Sequence, residues 1–285
     1  MLAKLGYHAH TLFLFTYSDY KTIFIPVSVF AAATAPVSSI TRFGTALIWL
    51  WLHLLQFDVS NQYTTAKEDA ANKPWRPMPS GRLSREHATV LRWSLLIACN
   101  LLSITIATCA GTPDVICIST AMSIAILAHN EVGLAQNWLG KNVCCAVGYM
   151  VLEAGTTLIT STTLSLSDDA KLSILISALV IASTIQVQDF PDVEGDLAMG
   201  RKTFPIAFPR FSRLATSVTL AAWSLAMGWI WQLHQVMHVT ISSLGLWVAI
   251  RVLLGGGPAY DRVTYVHYNL WLVASHLLPI ASRLV

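Results

Sequence analysis

Apolar residues run in stretches of about 20, the length needed to cross a bilayer core as a helix. They place spans near 22–40, 43–61, 87–109, 114–132, 139–160, 171–190, 212–232, 237–255 and 263–284. Pro26 and Pro36 interrupt the first span and Arg92 sits inside the third; neighbouring helices can satisfy such interruptions. Tyr7–Tyr20 is amphipathic and reads as a short interfacial helix, not a cleaved signal. The expected fold is all-α and polytopic: nine transmembrane helices around a central cavity, forming a single domain over 1–285.

Composition agrees with this pattern. Hydrophobic residues make up 54% and charged ones 12%, about half the charge of a soluble chain, and the lipid bilayer is the expected surrounding. A net charge of +3 is too small and local for nucleic-acid binding. The five cysteines lie in apolar stretches without metal-ligand spacing and read as buried thiols.

Charge adds sidedness. Nine spans put the chain ends on opposite sides, and 14 Lys/Arg fall with the N-terminus against three (Arg42, Lys171, Arg283) on the far side. The positive-inside rule makes the N-terminus and its loops cytoplasmic. Of 33 charged residues, 17 lie in segments 58–86 and 189–213. These follow spans two and six, so an acidic span end with a basic, proline-containing loop occurs twice. The spacing suggests a weak internal repeat of two four-helix bundles plus one helix, with two facing acidic sites.

In the second segment Asp189, Asp192 and Asp196 stand at i, i+3 and i+7, within roughly 60° of one another on an α-helix. Three carboxylates so close repel one another unless a cation lies between them, and Mg²⁺ is held by a few carboxylates together with phosphate oxygens. In the first segment, continuation of span two as a helix puts Asp58, Asn61 and Asp69 on one face. Lys73, Arg76 and Arg82 then reach back over the acidic ends from a loop that Pro-Ser-Gly closes. Acid for metal and base for phosphate oxygens is what a diphosphate needs. The plainer alternative is a solvated acidic helix end with basic residues serving as membrane anchors.

Asn61…Asp69 followed by Asn72-Lys73-Pro74-Trp75-Arg76-Pro77-Met78-Pro79-Ser80-Gly81-Arg82, together with Asp189-Phe-Pro-Asp192-Val-Glu-Gly-Asp196 and Lys202, resembles the UbiA superfamily of intramembrane prenyltransferases. The form with Asn-Lys-Pro-x-Arg-Pro is similar to a fungal group. The resemblance implies an isoprenyl diphosphate substrate bound through Mg²⁺ by Asn61, Glu68, Asp69, Asp189, Asp192 and Asp196. Arg76, Lys73, Lys141 and Arg82 are implied to hold the diphosphate, with Lys202 assisting its departure. The family's first motif, NxxxDxxxD, is incomplete: its middle acid falls on Thr65, with Glu68 or Asp58 as possible substitutes.

The cation left behind has two fates. A small aromatic or quinone-type acceptor captures it, the reading favoured on superfamily base rates, or its own double bonds do, making a class I membrane terpene cyclase that uses farnesyl or geranylgeranyl diphosphate. Tyr149, Trp223, Trp229, Trp231, Tyr268 and Trp271 are expected among its cavity walls. A transporter or non-catalytic membrane protein is the third reading. The active site is expected to open to the cytoplasm, at the endoplasmic reticulum if the source is eukaryotic.

Overall fold

The computed structural model describes residues 2–37 and 39–281. Arg283 and the end of the ninth predicted span lie outside them. Every predicted span falls on a helix within the described residues. α1 (Leu2–Thr16) leads through a 3₁₀ turn (Tyr17–Asp19) and a π turn (Tyr20–Phe24) into α2 (Ile25–Thr34). α2 ends six residues before the predicted limit, because Ala35 precedes Pro36 and is extended (φ −119°, ψ 141°). α3 (Ile40–Asn72), α4 (Arg85–Ala110), α5 (Asp114–Asn130), α6 (Trp138–Thr160) and α7 (Asp168–Thr184) follow. Ser39, Ser84, Asn137 and Ser167 cap α3, α4, α6 and α7, each side chain accepting a backbone N–H three residues on.

The segment after α7 departs from the expected continuous α-helix. Ile185–Asp192 is a 3₁₀ helix, and α8 (Val193–Ala198) resumes after it. Pro191 accounts for this: it has no N–H to donate and its ring would clash with the carbonyl four residues back in an α-helix. Residues three apart eclipse in a 3₁₀ helix, so Asp189 lies directly beneath Asp192. The short α9 (Phe204–Ala207) precedes α10 (Ser212–Ile230), α11 (Gln235–Leu254) and α12 (Pro258–Leu277).

α3, α5, α6 and α12, with segments 17–23 and 185–196, surround a central cavity. α4, α7, α10 and α11 lie outside and present exposed apolar side chains, among them Ile97, Leu101, Leu175, Val218, Trp247 and Leu253. Such a surface belongs in lipid. Among the described residues four helical stretches qualify as spans by length and composition: Arg85–Ala110, Trp138–Thr160, Asp168–Ala198 and Gln235–Leu254. α3 has 33 residues, about 50 Å of helix, against a hydrocarbon core of about 30 Å. α3 is thus about 20 Å longer than that core is thick, and Glu68 and Asp69 lie in its last turns.

Small residues let helices approach where the core is tightest. A Cβ on Gly245 of α11 would lie 1.7 Å from Ser224 Oγ and 2.7 Å from Trp271 Nε1. Gly245→Val is therefore expected to destabilise the fold by about 3 kcal/mol. Gly44→Ala, with nothing within 4 Å of its Cβ, should be neutral or gain a few tenths of a kcal/mol. Thermal unfolding of the detergent-solubilised variants checks both, and equal melting temperatures would refute the packing argument.

Candidate active site

Asp69 is 2% exposed, near the end of α3, where its carboxylate takes both contacts of Arg76 Nη1, at 2.8 and 3.0 Å. Arg76 reaches it because the loop after α3 folds back. Met78 and Leu83 pack on a small core of Phe15, Leu55, Val59 and Leu95, and Pro74 and Pro77 stiffen the chain around the guanidinium. Burial draws the Arg76 pKa down; Asp69 and Asp19 more than restore it, and the net shift is upward. Lys73 lines the cavity beside it.

The second acidic segment closes onto the first. α8 meets the end of α3 so tightly that a Cβ on Gly195 would lie 2.2 Å from Asn72 Nδ2. Arg201 then spans the two segments, its Nη1 2.9 Å from Glu68 Oε2 and 3.3 Å from Asp196 Oδ1. Asp196 is 1% exposed. Lys141, from the first turn of α6, contacts Asp189 Oδ1 at 2.6 Å. Asn61, Thr65, Glu68, Asp69, Lys73, Arg76, Lys141, Asp192, Asp196 and Arg201 thus share one cavity of about 430 Å³. Its deeper wall is apolar and aromatic, with Leu54, Phe57, Met122, Tyr149, Leu152 and Tyr265.

Two of the expected basic residues are elsewhere. Lys202 is exposed and off the cavity: its backbone is fixed by hydrogen bonds to Gln136 O and from Trp138 N, both 2.8 Å, and Arg201 faces inward instead. Arg82 reaches α1, where Nη2 is 3.4 Å from Tyr7 O and the guanidinium lies 4.4 Å over the Tyr7 ring; it anchors the N-terminal helix and does not line the cavity. Asp189 is fully buried beneath Lys141 and does not line the cavity surface. Arg201→Ala is accordingly expected to lower turnover about 100-fold, and Lys202→Ala to leave it within about twofold; initial rates of diphosphate release measure both. Equal losses would contradict the assignment.

Thr65 donates to Asn61 O at 3.0 Å and to Asp69 Oδ2 at 3.3 Å. It orients Asp69 where the motif has an acid, while Glu68 lies on the cavity. Gln188 lines the cavity, but Gln186 donates to Thr216 Oγ1 at 3.1 Å and ties helices together. Of the aromatic residues expected in the walls, Tyr149 lines the cavity, Tyr268 and Trp271 are fully buried, and Trp229 is exposed. Glu131 pairs with Arg92 and Glu153 with His276, 2.9 Å away, both off the cavity. The sequence reading missed Asp19, Lys21, Arg262 and Tyr265 as cavity residues. Their only signal is polarity near the start of spans one and nine, which does not show where those spans point.

The fit to a divalent cation follows from the donors. Oδ2 of Asp196 is buried without a hydrogen-bond partner, Glu68, Asp69 and Asp192 line the same cavity, and hard oxygens suit Mg²⁺. Among the described residues no three acids converge as a ready-made cage.

An all-helical bundle with an apolar outer surface, in which two acidic helix ends face each other under basic side chains, has the donor set for a diphosphate and a divalent cation. The sequence model of the UbiA prenyltransferase family matches residues 22–273, and the chain belongs to that family. It is 32% identical to the fumagillin beta-trans-bergamotene synthase of Aspergillus fumigatus, over 96% of this chain and 93% of that one. To the diterpene cyclase eriG of Hericium erinaceus it is 30% identical, over 94% and 87%. To the polyprenyl transferase eriF of the same organism it is 29% identical, over 94% and 93%. A UbiA homologue from Archaeoglobus fulgidus, solved with DMAPP and Mg²⁺, shares the fold with a TM-score of 0.63 and 13% identity, over 95% of this chain and 98% of that one.

Proposed function

We propose that the chain is a Mg²⁺-dependent enzyme of nine spans with a cytoplasmic N-terminus, which ionises farnesyl or geranylgeranyl diphosphate and closes the cation into a cyclic terpene. The observation that carries this reading is the joining of the two acidic segments by Arg201 above an apolar cavity. Glu68, Asp69, Asp192 and Asp196, with Asn61 beside them, would hold the metal, and Asp189 supports Lys141 from below. Mg²⁺ held there would neutralise the diphosphate and make it a better leaving group. Arg76, Lys73, Lys141 and Arg201 bind diphosphate oxygens and stabilise the charge that grows as the C–O bond breaks. The apolar wall keeps water from the cation, and the faces of Phe57, Tyr149 and Tyr265 attract it, by about 2 kcal/mol when desolvated.

Ring closure is favoured over transfer because two relatives at 30% identity or more are a terpene synthase and a cyclase. Transfer to a small aromatic or quinone-type acceptor is the second reading, supported by the family description and the polyprenyl transferase. Microsomes given each diphosphate with Mg²⁺ and no acceptor separate the two. A cyclic hydrocarbon is expected; diphosphate release only after an aromatic acceptor is added would decide for transfer. Release that persists in excess chelator would refute the metal requirement. We place the cavity mouth at the cytoplasmic face, of the endoplasmic reticulum in a eukaryote, on the Lys/Arg distribution.

A further inference from the structure

We propose that Gly148 sets the length of prenyl chain that the cavity accepts, by leaving the chamber wide at the level where the chain folds back on itself. This rests on the isoprenyl diphosphate reading above and deepens it to one specificity-determining position.

Gly148 lies in the middle of α6 and lines the cavity. A glycine inside a helix is less favourable than an alanine, so its presence there calls for a reason. Five other helical glycines have one: a Cβ on Gly140, Gly155, Gly195, Gly228 or Gly245 would come within 2.3 Å of a neighbouring group. At Gly148 a Cβ meets nothing within 4 Å, and its φ is not positive. Neither close packing nor backbone conformation accounts for the missing side chain.

The direction in which a side chain would point does account for it. Lys141, Cys144, Cys145 and Leu152 line the cavity together with Gly148 and fall within roughly 60° of it about the helix axis. Leu139 and Val143, on the far face of α6, are exposed. The open space over Gly148 is therefore the interior of the cavity. Lys141 stands at the diphosphate end, and the spacing along α6 puts Gly148 about 10 Å below it and about 6 Å above Leu152. The wall beside this notch is tied in place, because the Tyr149 hydroxyl donates to Thr22 O.

A prenyl chain held by its diphosphate at the mouth runs down through this level. Ring closure joins C1, where the C–O bond breaks, to a double bond farther along the same chain, so a second limb has to come back alongside the first. Depth does not supply room for two limbs. Width does, and Gly148 leaves it at mid-height. A longer chain brings more carbon through this level, and a side chain here excludes long chains before short ones. One methylene group too many in an apolar pocket changes discrimination by about 10- to 200-fold.

The test reads selectivity and stability together. Full-length protein in washed membranes is given dimethylallyl, geranyl, farnesyl and geranylgeranyl diphosphate in turn with Mg²⁺, and kcat/KM for each is taken from diphosphate release. The measured quantity is the ratio of kcat/KM for the longest chain used to that for the next shorter. Gly148→Ala is expected to lower this ratio about tenfold, and Gly148→Leu about 100-fold or more. The melting temperature of solubilised Gly148→Ala should match the wild type or exceed it by up to about 3 °C, which separates lost space from a damaged fold. Gly44→Ala, equally open but off the cavity, should leave the ratio unchanged. An unchanged ratio in both Gly148 variants, or a lowered melting temperature in Gly148→Ala, overturns the proposal. Absence of diphosphate release from all four substrates in the wild type overturns the isoprenyl diphosphate reading, and this inference with it; release with an unchanged ratio overturns this inference alone.

Discussion

Asp196→Ala is expected to cut diphosphate release by about 1000-fold, close to 4 kcal/mol of lost transition-state stabilisation, with no loss of membrane insertion. Asp196 joins three requirements that no other acid in the cavity meets together. It is 1% exposed, it carries a buried oxygen without a partner, and its other oxygen lies 3.3 Å from Arg201, the residue that links the two acidic segments. Substitution removes a negative charge where a cation is needed and also frees Arg201. Asp196→Asn keeps the shape and loses the charge, and should be nearly as damaged. Asp192→Ala is expected to follow, since Asp192 lines the same cavity. Release of diphosphate is followed by a coupled phosphate assay, with equal amounts of variant in washed membranes as the control for folding. Wild-type turnover in either alanine variant would remove the metal site from the account.

Arg76→Ala is expected to lower stability by about 3–5 kcal/mol, the cost of leaving a buried charge without its partner. Arg76 and Asp69 are 6% and 2% exposed, and little water can reach Asp69 once the guanidinium has gone. The loss should show as a fall in melting temperature of the solubilised protein. Removing the stranded charge as well, in Asp69→Asn/Arg76→Ala, should recover most of the stability. Activity should not return, because both groups face the diphosphate end. A double variant as unstable as the single would show that Arg76 acts through the packing of its loop and not through its charge.

The helices were legible because each span is a long apolar run bounded by charge, and in that pattern burial in lipid and burial in protein look alike. For the same reason the sequence marks spans well and faces poorly. Trp229 and Trp271 both read as apolar wall residues, but one is exposed and the other fully buried. The acids were legible through their spacing along α3 and after α7. Their basic partners were not, since that depends on how a loop turns. Lys202 and Arg201 are adjacent, and only the backbone pairing with 136–138 decides which one faces inward. Pro191 is visible in the sequence, and its effect could have been anticipated: an α-helix cannot run through it undisturbed. Asp19 could not have been placed, because only the packing of the helices brings the turn after α1 to the cavity wall.

The length of α3 has a consequence for how substrate arrives. With α3 spanning the bilayer as proposed, a helix about 20 Å longer than the hydrocarbon layer is thick would work as a depth gauge, with Leu54 and Phe57 at the level of acyl chains and Glu68 and Asp69 at the level of headgroups. An amphiphile with a diphosphate head and an isoprenoid tail already rests at that depth in a leaflet. It can slide in laterally without its head entering oil or its tail entering water, so desolvating the head does not weigh against capture. The rate of capture should then follow the amount of substrate per area of membrane and not its concentration in the surrounding buffer.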